Sequence, residues 1–234
     1  MRQGGGMEIL NVPVQVDQRQ DRAGAISIRY GLGIALDEGL VFASDSRTKA
    51  GVDSVSVFRK LRIFENPGER VVVVLISGNL AVSQSVVIQP EEGLEGSSKT
   101  LYDVSSMYDA MRLVGRALRN VYKIETDHLQ AQDAKSGASF IVAGQNVGRW
   151  MRQSHVYGAG NLIEAGEDTP CLQTGEAKYG KPIHERVIRP DLKLLTAAKC
   201  ALVSFGSTIR SNVSVTASIN FEIYKHDYLH VATQ

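Results

Sequence analysis

Gly39-Leu-Val-Phe-Ala-Ser-Asp-Ser-Arg-Thr48, then Ala50-Gly51-Val-Asp53, then Phe58-Arg-Lys60, carries the architecture of this chain. Leu40 to Ser44 reads as a strand, and the preceding Tyr30 to Leu36 reads as another. Asp37-Glu38-Gly39 between them is a turn, and so short a connection between β-rich runs predicts an antiparallel hairpin. Asp45 closes the second strand. Lys60 opens the next alternating run, Phe58 to Phe64, in which apolar and basic residues alternate with one slip. An acid and a base so placed form an ion pair at the mouth of a sheet sandwich. Such a pair is ordinarily structural, but a lysine in that position also tunes or holds a proton for a nearby hydroxyl.

Working outward, Thr48 to Ser54 reads as a polar loop containing Gly51. Arg70 to Ser77 is a β-branched strand, apolar enough to be buried on both faces. Asn79 to Ile88 predicts a helix ended by Pro90. Met107, Ala110, Met111, Val114, Leu118 and Val121 recur at three- and four-residue steps, the strongest helical signal in the chain. Asp103 or Ser105 supplies its cap. Ala138 to Gln145 and Trp150 to Tyr157 form a strand pair around Asn146-Val147-Gly148. A helix follows over Leu192 to Phe205, and an alternating strand over Val213 to Tyr224. Strands and helices come in segregated blocks. That excludes a doubly wound parallel sheet and favours layered α+β, with two antiparallel sheets packed together and helices outside.

The chain has 234 residues, 43% hydrophobic and 22% charged, with a formal net charge of +1. One domain with a continuous core accommodates this length. So even a charge leaves no basic footprint for nucleic acid or a membrane surface. The longest apolar run, Val71 to Ile76, is far short of the roughly 20 residues a membrane span needs. Cys171 and Cys200 lie far apart without a CxxC, which predicts two core thiols. The five histidines lack metal-ligand spacing, and no metal site is expected. Gly31-Leu32-Gly33 opens a strand rather than a helix, so it is not a phosphate loop. Residues 1–28, with Gly4-Gly5-Gly6 and the polar run Gln15 to Arg22, read as a leader: a propeptide, a tail, or the product of an upstream start codon. They lack the apolar segment of a secretory signal.

The quoted stretch resembles the first third of proteasome β-type subunits, and among these the bacterial Anbu (ancestral β-subunit) homologues. Later blocks extend the resemblance over about residues 30–226. They are Ser77-Gly78-Asn79-Leu80-Ala81, Gly160-Asn161 to Ala165, Asp168-Thr-Pro170, Leu172 to Ile183, Ala197 to Phe205 and Ser211-Asn-Val-Ser-Val215. The resemblance implies a four-layer αββα sandwich of the N-terminal-nucleophile hydrolase type, over residues 29–234. It implies peptide-bond hydrolysis by the chain's own N-terminal threonine, whose free amine accepts the proton of the attacking hydroxyl. Matched residue by residue, Asp45 and Lys60 orient and tune that hydroxyl, and Gly78 supplies an oxyanion-hole amide. Arg47, Thr48, Ala50 and Gly51 line the substrate cleft. No cofactor is implied. A ring-like or open-ring homo-oligomer, or assembly with a related active subunit, is implied, as are a peptide or unfolded-protein substrate and a cytoplasmic setting.

Three departures set this chain apart. Aligned through Gly33, Gly39 and Asp45, the nucleophile position holds Arg29, which has no hydroxyl. Ser27 is a fallback nucleophile, exposed if the chain is cut after Ile26. Two strand residues, however, displace it by roughly 6.6 Å, where catalysis tolerates about an ångström. Where the family's last-helix motif carries an aspartate that helps hold the N-terminal site, this chain has Gly206. The leader, finally, blocks a free amine unless it is removed. Two readings therefore stand: a peptidase subunit of the family, or an inactive pseudoenzyme serving as scaffold or binding subunit.

Overall fold

The unbroken β-branched run Val71-Val-Val-Val74 is buried on both faces and forms the centre of one of two sheets. The computed structural model describes residues 12–13, 30–50, 54–57, 59–94, 99–131, 137–212, 215 and 218–230, with only the backbone for 12–13, 47–50, 54–57 and 125–131. In chain order the strands begin with β1 (Val12–Pro13), β2 (Tyr30–Leu36), β3 (Gly39–Asp45), β4 (Arg47–Ala50), β5 (Ser54–Val57), β6 (Leu61–Asn66) and β7 (Arg70–Gly78). Helices α1 (Leu80–Glu92) and α2 (Met107–Ala131) follow, then β8 (Ala138–Asn146), β9 (Arg152–Val156), β10 (Leu162–Glu164) and β11 (Cys171–Gly175). The chain ends with α3 (Lys181–Val187), α4 (Leu194–Ser211) and β12 (Ser218–Lys225).

One antiparallel sheet has the order β1-β12-β3-β2-β11, the other β10-β9-β8-β7-β6, and β4 pairs with β5. Side-chain alternation along each strand builds four layers. Val72, Val74 and Ile76 of β7 turn outward to Met111, Val114 and Leu118 of α2 and to Val82 and Val86 of α1. Leu32 and Ile34 of β2 and Val41 and Ala43 of β3 turn outward to Ala197, Ala201 and Phe205 of α4. The intervening residues Leu40, Phe42 and Tyr224 meet Val71, Val73 and Ala143 between the sheets. This is the expected αββα sandwich. Gly31 and Gly33 allow the sheets to close: a Cβ on Gly31 would lie 2.4 Å from the Leu75 side chain, and one on Gly33 2.5 Å from Gln153 Oε1. The glycine pair in β2 thus serves sheet packing.

Several local expectations are corrected. The polar stretch 48–54 is not simply a loop, since Arg47–Ala50 and Ser54–Val57 form a two-stranded ribbon. Pro90 does not end α1, which runs to Glu92; Pro90 sits in the last turn, and Gly93 (φ 111°) turns the chain. The cap of α2 is Ser106 rather than Asp103 or Ser105, its hydroxyl accepting the Asp109 N–H at 3.1 Å and donating to the Asp109 carboxylate at 2.9 Å. The slip in the run 58–64 arises because β6 starts only at Leu61. The final strand starts at Ser218, and Val213 and Ala217 lie outside the described residues, as do 1–11 and 14–29 of the leader. Cys200 is buried, Cys171 is half-buried, and both are free thiols. No described helix is long and apolar enough to cross a membrane.

Candidate functional site

Three strand ends converge at one end of the sandwich. Asp45 is the last residue of β3, Lys60 immediately precedes β6, and Gly78 ends β7. Lys60 Nζ lies 2.6 Å from Asp45 Oδ2, with both side chains only 1% exposed. The other carboxylate oxygen, Oδ1, accepts the backbone N–H of Tyr30 at 3.2 Å. The pair therefore grips the peptide that joins Tyr30 to position 29. The Lys60 carbonyl accepts the Ile76 N–H at 2.7 Å, tying the lysine to β7 two residues before Gly78. Gly78 has φ 104°, and a Cβ there would lie 2.0 Å from the Gly137 carbonyl oxygen, so only glycine fits. Asn79 follows and caps α1, its side chain accepting the N–H groups of Ala81 and Val82 at 3.0 and 3.3 Å.

Of the expected cleft residues, Arg47, Thr48 and Ala50 lie on β4, which Ser46 joins to Asp45, in register with Val57, Ser56 and Ser54 of β5. Gly51, Arg29 and Ser27 lie outside the described residues. Gly206 lies in α4. It sits on the exposed face of α4, opposite Ala201, Ser204 and Phe205, and a Cβ there meets no described atom within 4 Å. A side chain at this position points away from the described residues of the sheet. Among the described residues no group of acids, histidines and cysteines is arranged to hold a metal ion.

Sequence reasoning missed a buried polar cluster behind the pair. Tyr30 Oη lies 2.8 Å from His184 Nε2 and 2.5 Å from Ser204 Oγ, and Ser204 Oγ lies 2.8 Å from His184 Nε2. Cys200 Sγ stands 4.0 Å from His184 Nδ1. Burial pushes the Tyr30 hydroxyl well above its ordinary value and pulls His184 down to about 4, so the imidazole is neutral near pH 7. The Tyr30 ring packs on Phe205 at 4.4 Å between centroids. Tyr30 is thus held at both ends, its amide by Asp45 and its hydroxyl by α3 and α4. The available signal was the four-residue spacing of Cys200, Ser204 and Thr208 on the inner face of α4.

Solved structures share the fold over most of the chain. Anbu (ancestral beta-subunit) from Yersinia bercovieri is 43% identical over 88% of this chain and 85% of its own, with a TM-score of 0.80. The chain belongs to the Anbu family. Anbu of Pseudomonas aeruginosa, solved as a helical assembly, is 45% identical over 86% of this chain and 83% of its own, with a TM-score of 0.81. A Gly-1 mutant of Anbu from Hyphomicrobium sp. strain MC1 is 44% identical over 88% and 85%, with a TM-score of 0.79. No family model matches the sequence, and no curated protein does. Membership in the Anbu family accounts for the hairpin, the Ser77-Gly78-Asn79 turn and the closed sandwich as one inherited unit.

Proposed function

We propose that this chain is a proteasome-like, Anbu-type subunit that assembles with copies of itself and keeps the support of a threonine-type peptidase site without its nucleophile. The observation that carries this reading is the buried Asp45–Lys60 pair bonded to the Tyr30 amide. A charged pair is costly to bury, and here it is aimed at the peptide that follows position 29. In the peptidase chemistry of the family a hydroxyl at that position attacks, the α-amine takes its proton, and Lys60 and Asp45 set the field around it. Gly78 offers a backbone N–H to the developing oxyanion. Arginine at position 29 provides neither the hydroxyl nor, behind the leader, a free amine. The chain as written is therefore a scaffold or binding subunit for peptide or unfolded protein, in a cytoplasmic assembly that needs no cofactor. The self-association recorded for Pseudomonas aeruginosa Anbu supports the assembly.

A second reading keeps hydrolysis, with Ser27 exposed by cleavage after Ile26. Intact mass before and after an epoxyketone, which traps N-terminal hydroxyl nucleophiles, separates the two. An uncut chain without adduct is the expected result. A chain beginning at Ser27 with one adduct overturns the proposal.

A further inference from the structure

The far end of the sandwich holds a cavity that the peptidase reading does not use. It measures about 160 Å³ and is walled by Leu36, Met151, Pro170 and Pro190, with Trp150 at its rim. It lies past the end of β2 opposite to Tyr30, and the seven residues of β2 put about 20 Å between this end and the Asp45–Lys60 pair. Backbone bonds tie the two proline segments of its wall to the end of β2. Ala35 N–H donates to the Pro170 carbonyl and Asp37 N–H to the Pro190 carbonyl, both at 2.8 Å.

Two features give the cavity a chemical preference. The first is charge. Asp37 and Glu167 line it, and no lysine or arginine does. Their neighbour Glu38 is ion-paired with Lys193, whereas among the described residues neither Asp37 nor Glu167 has an ion-pair partner. The second is the aromatic rim. Trp150 is 74% exposed, and one face of its ring is stacked on His226, with centroids 5.2 Å apart and planes at 10°. The stack fixes the ring, and its exposure leaves indole surface open to a ligand. Apolar walls, two carboxylates and an indole suit a cation on an aliphatic stem. The space is open to solvent on one side, and its volume of about 160 Å³ matches one side-chain tip.

We propose that this cavity binds a lysine or arginine side chain presented by another polypeptide, at the pole of the subunit remote from the Asp45–Lys60 pair. The stem lies against Leu36, Met151 and the prolines, and the cation lies between Asp37, Glu167 and the Trp150 ring. Because the charge is held near the surface, binding weakens with salt.

Trp150 is the single tryptophan of the chain, so its fluorescence reports this cavity alone. The full chain is titrated with acetyl-Ala-Arg-Ala-amide, and with the same peptide carrying citrulline, which keeps the shape and loses the charge. A saturable change with the arginine peptide is expected, together with none for citrulline. Asp37→Asn with Glu167→Gln weakens binding about tenfold, the sum of two partly exposed charge contacts. No saturable change, an equal response to citrulline, or an unaffected double variant overturns the proposal. So does a Trp150 signal that follows protein concentration without peptide, which assigns this face to contact between copies of the chain.

Discussion

Lys60 Nζ and Asp45 Oδ2 stand 2.6 Å apart with both side chains 1% exposed, so each charge has been taken out of water and answered by the other. Lys60→Met or Asp45→Leu alone leaves one buried charge uncompensated, a loss of about 3–5 kcal/mol. The double variant replaces the pair by apolar groups and destabilises by less than the sum of the single changes. Urea unfolding of the three variants measures this, and additive losses would show that the two side chains do not act on each other.

The hairpin and the pair were legible because they are local and carry hard constraints. A two-residue turn, a terminal Asp and a basic residue before the next run fix the ends of three strands. The helix α2 was legible through the period of Met107, Met111, Val114 and Leu118. What could not be read depends on contacts distant in sequence. The hydrogen bond from Tyr30 to His184 joins residues 154 apart, and that from Tyr30 to Ser204 joins residues 174 apart. Nothing in either neighbourhood marks the partner. Short strands such as β10 and β11 carry too few residues to show a period, and β11 becomes a strand by pairing with Tyr30 to Ile34. Gly206 makes a related point: a motif gives a position along the chain but not the face of the helix, and this one lies on the exposed face of α4.

His184 gives the protein an acid-side pH dependence. Burial lowers its pKa from 6.5 to about 4, so the unfolded chain binds the proton more readily than the native one. The stability it contributes is full above pH 6.5 and is lost as pH falls toward 4, a change of about 3 kcal/mol. His184→Gln keeps a neutral hydrogen-bonding group that does not titrate. Between pH 4.5 and 6.5 the denaturant midpoint of the parent changes little, because Glu222 gains with acid what His184 loses, whereas in this variant it rises with acid; equal slopes would contradict a neutral buried imidazole.

Glu222 works in the opposite direction. It lies opposite Phe42 on the face of β12 that also carries Tyr224, between the sheets, and is 2% exposed. Burial raises its carboxyl from 4.5 to about 7. A native group that holds its proton more tightly stabilises the fold fully below pH 4.5, and this is lost as pH rises through 7, again about 3 kcal/mol. From pH 4.5 to 6.5 the two residues therefore offset each other. Glu222→Gln removes the loss and raises stability at pH 8 relative to pH 5 when compared with the parent. An unchanged ratio would mean that the carboxyl is ionised at no cost.

The last test concerns the nucleophile itself. The support at Asp45, Lys60, Tyr30 and Gly78 is built into strand ends, and Gly206 faces away from it. A chain trimmed to begin at position 29, carrying Arg29→Thr, regains a hydroxyl and a free amine beside the retained pair. It is expected to take one epoxyketone adduct and to cleave peptide substrates, where the trimmed parent does neither. Adding Gly206→Asp is expected to alter the rate by less than about twofold, since a side chain on the outer face of α4 has no path to the reacting atoms. Adding Lys60→Ala abolishes labelling, which separates repair of the nucleophile from non-specific alkylation. A trimmed Arg29→Thr chain that stays inert, and becomes active only with Gly206→Asp, would place a part of the site on the outer face of α4, where a neighbouring subunit would have to receive it.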